Sequence, residues 1–238
     1  MKTTSLIFGA LFLLTSAFVL NHVVAPYKVD TDKSVITWTA YKVGGMHTGT
    51  VKIKEGSLDI NKGTLTGGKI VVDMTSMDVT DLEKGSKGYI SLLNHLKSQD
   101  FFGIDASVGR GGEVPDASAK VFTTAELVIT KAKKTGKQAT SDKALEYIVD
   151  ANLTVKGVTK PVQFKAFVKA EGDKIMARTV KGDFSNIAAD NEANDKSIKE
   201  NGFFSFKRLD YDIKYGSIIG DKAIYNNVFL EIYVEAGK

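Results

Sequence analysis

The chain contains no cysteine. That excludes disulfides, thiolate nucleophiles, cysteine-ligated zinc and lipid attachment through sulfur, so stability has to come from packing. Histidine is nearly absent too, with three in the chain: His22, His47 and His95. His22 lies in or beside an apolar leader, which leaves two and rules out a three-histidine zinc site; neither sits in an H-E-x-x-H sequence. No G-x-S-x-G elbow and no phosphate-cradling P-loop lysine motif occurs. "GRGGEV" from Gly109 lacks the third glycine of a dinucleotide fingerprint and reads as a loop. Charge of one sign is not concentrated anywhere: 32 Lys and Arg stand against 28 Asp and Glu, a formal +4, with no like-charged tract and no RNA-binding aromatic motif. Nucleic acid is therefore not an expected partner.

A long apolar run is missing as well. The longest candidate, "LIFGALFLLTSAFVL" from Leu6 to Leu20, follows the lone charge of Lys2. As a helix it covers roughly 22 Å, short of the roughly 30 Å hydrocarbon core, so residues 1–25 read as an export signal, with cleavage after Ala17 or Ala25. The expected location is a Gram-negative-type periplasm, the alternative being an uncleaved N-terminal anchor with the remainder outside. Residues 26–238 form one expected domain, since no linker-like composition interrupts them.

What the chain has in quantity is alternation of apolar and polar residues, the period of a half-buried strand. In "ALEYIVDANLTVKGVTKPVQFKAFVKA", Tyr147, Val149, Ala151, Leu153 and Val155 point one way, and Val162, Phe164, Ala166 and Val168 do so after the turn. Similar segments run from Ser34 to Val43, Gly49 to Ile60, Gly67 to Met77, Ala119 to Thr130, Asp173 to Phe184, Gly202 to Gly216 and Asn227 to Ala236. So many strands in one unit point to a closed antiparallel sheet without exposed edges, a barrel, with a sandwich as the alternative. Helix is scarce. Tyr89, Leu92, Leu93 and Leu96 make one amphipathic helix of about three turns. The polar stretch from Ala188 to Asn201 reads as a surface loop or short helix.

Five stretches in order, "HTGTVKIKEGSL" from His47, "GGKIVVDMTSM" from Gly67, "NHLKSQDFF" from Asn94, "ANLTVKGVTKPVQF" from Ala151 and "FKRLDYDIKYG" from Phe206, resemble the YceI family and span nearly all of the chain beyond the leader. The third and fourth are the more specific. The resemblance implies an exported, lipocalin-like, eight-stranded antiparallel barrel that binds a polyisoprenoid in an elongated tunnel. An eight-stranded barrel is just wide enough for side chains or one slender ligand. The expected function is a carrier or reservoir for a polyisoprenoid or isoprenoid quinone, not an enzyme. Such a lipid is cargo, and no metal or cofactor is implied. Transient membrane contact and a dimer are left open.

Taking the apolar strand faces as the tunnel wall gives Ile36, Trp38, Val51, Ile53, Ile70, Val72, Val149, Leu153, Phe164, Val168, Phe204, Phe206, Leu230 and Ile232. Phe101 and Phe102 at the end of the helix either line the tunnel or plug the core, with Asp100 expected outside as a turn cap. Head-group donors at a mouth are sought in His47, Arg178 and Arg208. Two alternatives are kept: an enzyme acting on an amphiphile through Asp100 near His47 or His95, and a structural module whose barrel is filled by side chains. The sequence departs from the simplest family pattern at "GRGGEVPDASAKVF" and at Ala188 to Asn201, the latter a lid or a surface decoration.

Overall fold

A computed structural model describes residues 26–108, 114, 116–215 and 223–238. Residues 1–25, read above as an export signal, and residues 109–113 of "GRGGEV" lie outside the described residues. Strands β1 (Tyr27–Val29), β2 (Val35–Lys42), β3 (Gly45–Asn61) and β4 (Thr64–Val79) are followed by helix α1 (Lys87–Lys97). Then come β5 (Thr124–Gln138), β6 (Leu145–Val155), β7 (Val158–Glu171), β8 (Lys174–Thr179), helix α2 (Glu192–Asn201), β9 (Ser205–Lys207) and β10 (Ile224–Gly237).

Every pairing is antiparallel, and the order β10-β2-β3-β4-β5-β6-β7-β8 closes on itself because β8 also pairs with β10. These eight strands make the ring expected from the alternation; β1 pairs with β3 and β10, and β9 with β10 alone. Two-residue turns set the register of two hairpins. Lys62-Gly63 and Lys156-Gly157 have positive φ at both positions (48° and 71°, 50° and 76°), the left-handed pair that matches strand twist. Gly49 lies opposite Trp38 on β3 and β2, and a Cβ there would stand 1.9 Å from the Asp78 carbonyl and 2.5 Å from the indole. Only a bare backbone lets the indole lie flat on the wall.

The alternating residues meet inside the ring in one continuous apolar cluster that includes all fourteen proposed wall residues except Leu230, which packs against it, and that also takes in Phe101 and Phe102. A second, smaller cluster sits outside the ring, where Tyr41 and Phe229 are covered by Phe184, Ala188 and Ile198. The polar stretch around α2 is therefore more than decoration: Ala188 and Ile198 are buried, and they shield the outer face of β10.

α1 follows its expected pattern, with Tyr89 and Leu96 buried and Ser86 capping its N-terminus by accepting from the Tyr89 amide. The segment from Gly202 to Gly216 does not form the long strand its alternation suggests. After three residues of β9 it turns into a short 3₁₀ helix (Arg208–Tyr211) that ends at left-handed Asp212. There the Arg208 side chain takes the place of a strand partner, donating to backbone carbonyls of the chain around it.

Candidate functional site

The interior holds two apolar voids. One, of about 70 Å³, is lined among others by Ile36, Trp38, Val51, Ile70, Val72, Phe102, Leu153, Phe204, Phe206, Leu230 and Ile232. The other, of about 40 Å³, is bordered by Val149, Phe164 and Val168, and shares Ile70, Leu127 and Ile232 with the first. Of the residues placed on the wall by sequence, only Ile53 touches neither these voids nor the mouth pocket; it is packed in the core. A void of about 150 Å³ is what takes up a benzene, so neither accepts an isoprene unit without side chains moving. Met74 and Met77 line the larger void, and their flexible thioethers are suited to such movement.

At the α1 end a wider pocket of about 520 Å³ opens. One side of α1 supplies Gly88, Ser91, Leu92 and His95, spaced to share a helical face, and the β2–β3 hairpin supplies Ala40, Lys42 and His47. Trp38 lines both this pocket and the larger void. The two phenylalanines after α1 divide the same way: Phe101 lines the mouth and Phe102 the interior, their rings packed edge to face at 5.2 Å. They form the partition between pocket and core together with the indole.

The mouth is close to neutral. The Lys42 ammonium donates to His47 Nε2 at 3.0 Å, which places the imidazole proton on Nδ1, where it is donated to Asp81 Oδ2 at 2.8 Å. Asp81 also accepts from the Thr48 amide. His95 packs against Phe101 and Tyr215 at 4.6 and 4.2 Å between ring centres. Burial pushes its pKa down to about 4, against the opposing pull of Asp100, so it is uncharged at neutral pH. Its Nε2, like Trp38 Nε1, is buried without a hydrogen-bond partner among the described residues. Both are polar atoms at the pocket boundary held in reserve.

The remaining sequence candidates are placed elsewhere. Asp100 is buried, not outside: Ser98 Oγ donates to it, and its backbone carbonyl accepts from Lys156 Nζ and the Lys214 amide. The tight turn after α1, in which the Gly103 amide reaches back to Ser98 O, rolls the carboxylate inward. His47 pairs with Asp81, not with Asp100. Arg208 is 1% exposed and donates to the carbonyls of Ile213 (2.9 Å), Ile224 (3.1 Å) and Tyr225 (3.4 Å). Arg178 borders the smaller void, bridges to Asp142 at 3.2 Å and lies over the Phe167 ring. Asp81 was not found from sequence, because it lies 34 residues from its partner and no local motif joins the two. Among the described residues there is no cluster of three metal-ligating side chains, and no helix long and apolar enough to cross a membrane.

A closed antiparallel ring around an apolar interior, capped by one helix beside a pocket, defines a lipocalin-like class of protein. The model of the YceI-like domain matches residues 27–236, and the chain belongs to that family. Among solved structures it is similar to Burkholderia cenocepacia BcnA, with a TM-score of 0.57 and 16% identity over 87% of this chain and 99% of that one. It is also similar to a polyisoprenoid binding domain from Saccharophagus degradans implicated in plant cell wall breakdown, with a TM-score of 0.53 and 13% identity over 89% and 97%. At these identities the likeness is one of fold. No curated protein sequence matches the chain.

Proposed function

We propose that this protein is an exported lipid binder that takes the tail of a polyisoprenoid into the ring and holds a neutral, oxygen-bearing head, such as that of an isoprenoid quinone, in the mouth pocket. The observation that carries this reading is Trp38, whose indole borders both the 520 Å³ pocket and the apolar interior. Family membership and the similarity to a polyisoprenoid binding domain support it. A diphosphate head is disfavoured by charge, because Lys42 is engaged through His47 with Asp81 and His95 is neutral. Trp38 Nε1 and His95 Nε2 suit carbonyl or hydroxyl groups once the boundary relaxes. The role is sequestration, as carrier or reservoir. Binding is favoured over turnover because Asp100, the acid of the enzymatic reading, accepts from Ser98, and His47 is paired with Asp81 instead of Asp100.

Each five-carbon unit removed from water contributes about 4 kcal/mol, and a bilayer offers the same gain. The ring must therefore open enough to enclose the tail nearly completely. The small volume of the two voids favours a second reading, a barrel filled by its own side chains.

Trp38 is the one tryptophan in the chain, so its emission reports on the partition directly. Titrating delipidated protein with a long-chain isoprenoid quinone should quench that emission to saturation near one per chain, and a long-chain prenol should reverse it by competition. No quenching and no competition would leave the filled barrel as the account.

A further inference from the structure

The ring is not equally strong all round. β8 stops at Thr179, and β7 is paired with it only from Ala166 to Glu171. Between Val158 and Lys165 β7 stays paired with β6 on one edge, while along its other edge lies the Gly202–Lys207 segment, with no β7–β9 ladder among the described residues. One backbone bond crosses, from the Lys165 amide to Gly202 O. By strand alternation Gln163 and Pro161 face the same seam, and Pro161 has no N–H to offer. Aromatic packing crosses this stretch instead: Phe164 of β7 stacks on Phe204 at 4.2 Å, and Phe206 is braced by Tyr211 of its own segment at 5.2 Å.

Outside the seam lies a groove of about 330 Å³ bordered by Pro161, Gln163, Ser205, Phe206, Tyr211 and Asn227. Phe206 lines both this groove and the larger interior void, so one side chain separates them. Two polar atoms at the groove are orphaned: Tyr211 Oη and Asn227 Nδ2 are buried without partners among the described residues, on side chains 1% and 2% exposed. Such groups carry a standing desolvation cost and are suited to a partner that comes and goes. The rim carries Lys160, Lys199 and Lys207 against Asp195 and Asp210, with Lys207 bonded to Asp195, so it selects for no strongly charged group. Four residues beyond Tyr211, Tyr215 borders the mouth pocket.

We propose that the seam between β7 and β9 is a side opening through which a long-chain amphiphile loads as Phe206 swings outward, with the Tyr211 hydroxyl and the Asn227 amide receiving its neutral, oxygen-bearing end in transit to the mouth. This rests on the lipid-binding reading above.

A chain without cysteine allows a clean test. Gln163→Cys with Ser205→Cys places one thiol on each side of the groove, bridged by oxidation or by a short bismaleimide. Uptake of a long-chain isoprenoid quinone is followed by the rate and the final extent of Trp38 quenching. Bridging should slow uptake at least tenfold, reducing the oxidised bridge should restore it, and the final extent should not change. Phe206→Ala should accelerate uptake in the unbridged protein. Tyr211→Phe with Asn227→Leu should slow uptake about tenfold with the fold intact by circular dichroism. Equal rates for bridged and reduced protein overturn the side opening; an unchanged rate in the Tyr211 and Asn227 variant overturns their role as a transit site. Failure of the reduced protein to bind any quinone overturns the lipid-binding reading and the opening with it.

Discussion

Arg208 separates a structural account of the mouth from a ligand-binding one. Its guanidinium ties the 3₁₀ turn to Ile213 and to the start of β10 at Ile224 and Tyr225, and Ile224 itself lines the mouth pocket. Arg208→Met keeps most of the volume and removes the donors. Hydrogen bonds from a charged donor contribute about 1.5–3 kcal/mol each, and those to Ile213 and Ile224 have ordinary lengths of 2.9 and 3.1 Å. Losing them is offset by no longer burying a cation, which costs several kcal/mol. The stranded carbonyls tip the balance, and a net loss of about 3 kcal/mol is expected. With a urea m-value of about 2–3 kcal/mol/M, the midpoint should fall by roughly 1–1.5 M. Urea titration read by Trp38 emission and by circular dichroism measures it. A midpoint unchanged or raised, together with altered selectivity for lipid head groups, would refute the reasoning and return Arg208 to the ligand.

Three other outcomes are expected. The His95 pKa is depressed from 6.5 to about 4 by burial, so the unfolded chain binds a proton more readily. Its contribution is complete above pH 6.5 and is lost as pH falls toward 4, by at most about 3 kcal/mol. The pH dependence of stability should be flatter in His95→Leu than in the parent, and an imidazole NMR titration should give the low value directly; a normal histidine titration near 6.5 contradicts it. Phe102→Ala should cost about 3–5 kcal/mol, because the ring fills space beside the larger void, and thermal melts should show it. If stability holds while lipid retention falls, Phe102 lines the tunnel and does not plug the core. Gly49→Ala drives a methyl into the Asp78 carbonyl and the indole of Trp38, and should leave little folded protein by circular dichroism; near-parental stability would show that the wall yields there.

Much of the fold is readable in local sequence because a strand's inward set repeats every second residue. The faces around Val149, Leu153 and Phe164, and the α1 face bearing Tyr89 and Leu96, follow from spacing alone. Closure of the ring does not follow, since the β8–β10 pairing of Arg178 with Tyr233 joins distant residues and leaves no local mark. β9 ends early because Arg208 turns inward, a choice that alternation around Phe206 cannot reveal. The site was legible in part. The apolar wall and the aromatic pair at Phe101 and Phe102 could be named, but the Asp81 partner of His47 and the burial of Asp100 depend on loop geometry. The interior volume is set by how Met74, Met77 and Phe204 fill the ring together, and no single segment encodes it.

The most direct test is mass spectrometry of the organic extract from protein purified without detergent from its own host, beside a denatured control. The account predicts one long isoprenoid with a neutral head, recovered at close to one per chain. An extract no richer than the control would contradict it and leave a barrel whose interior belongs to its own side chains.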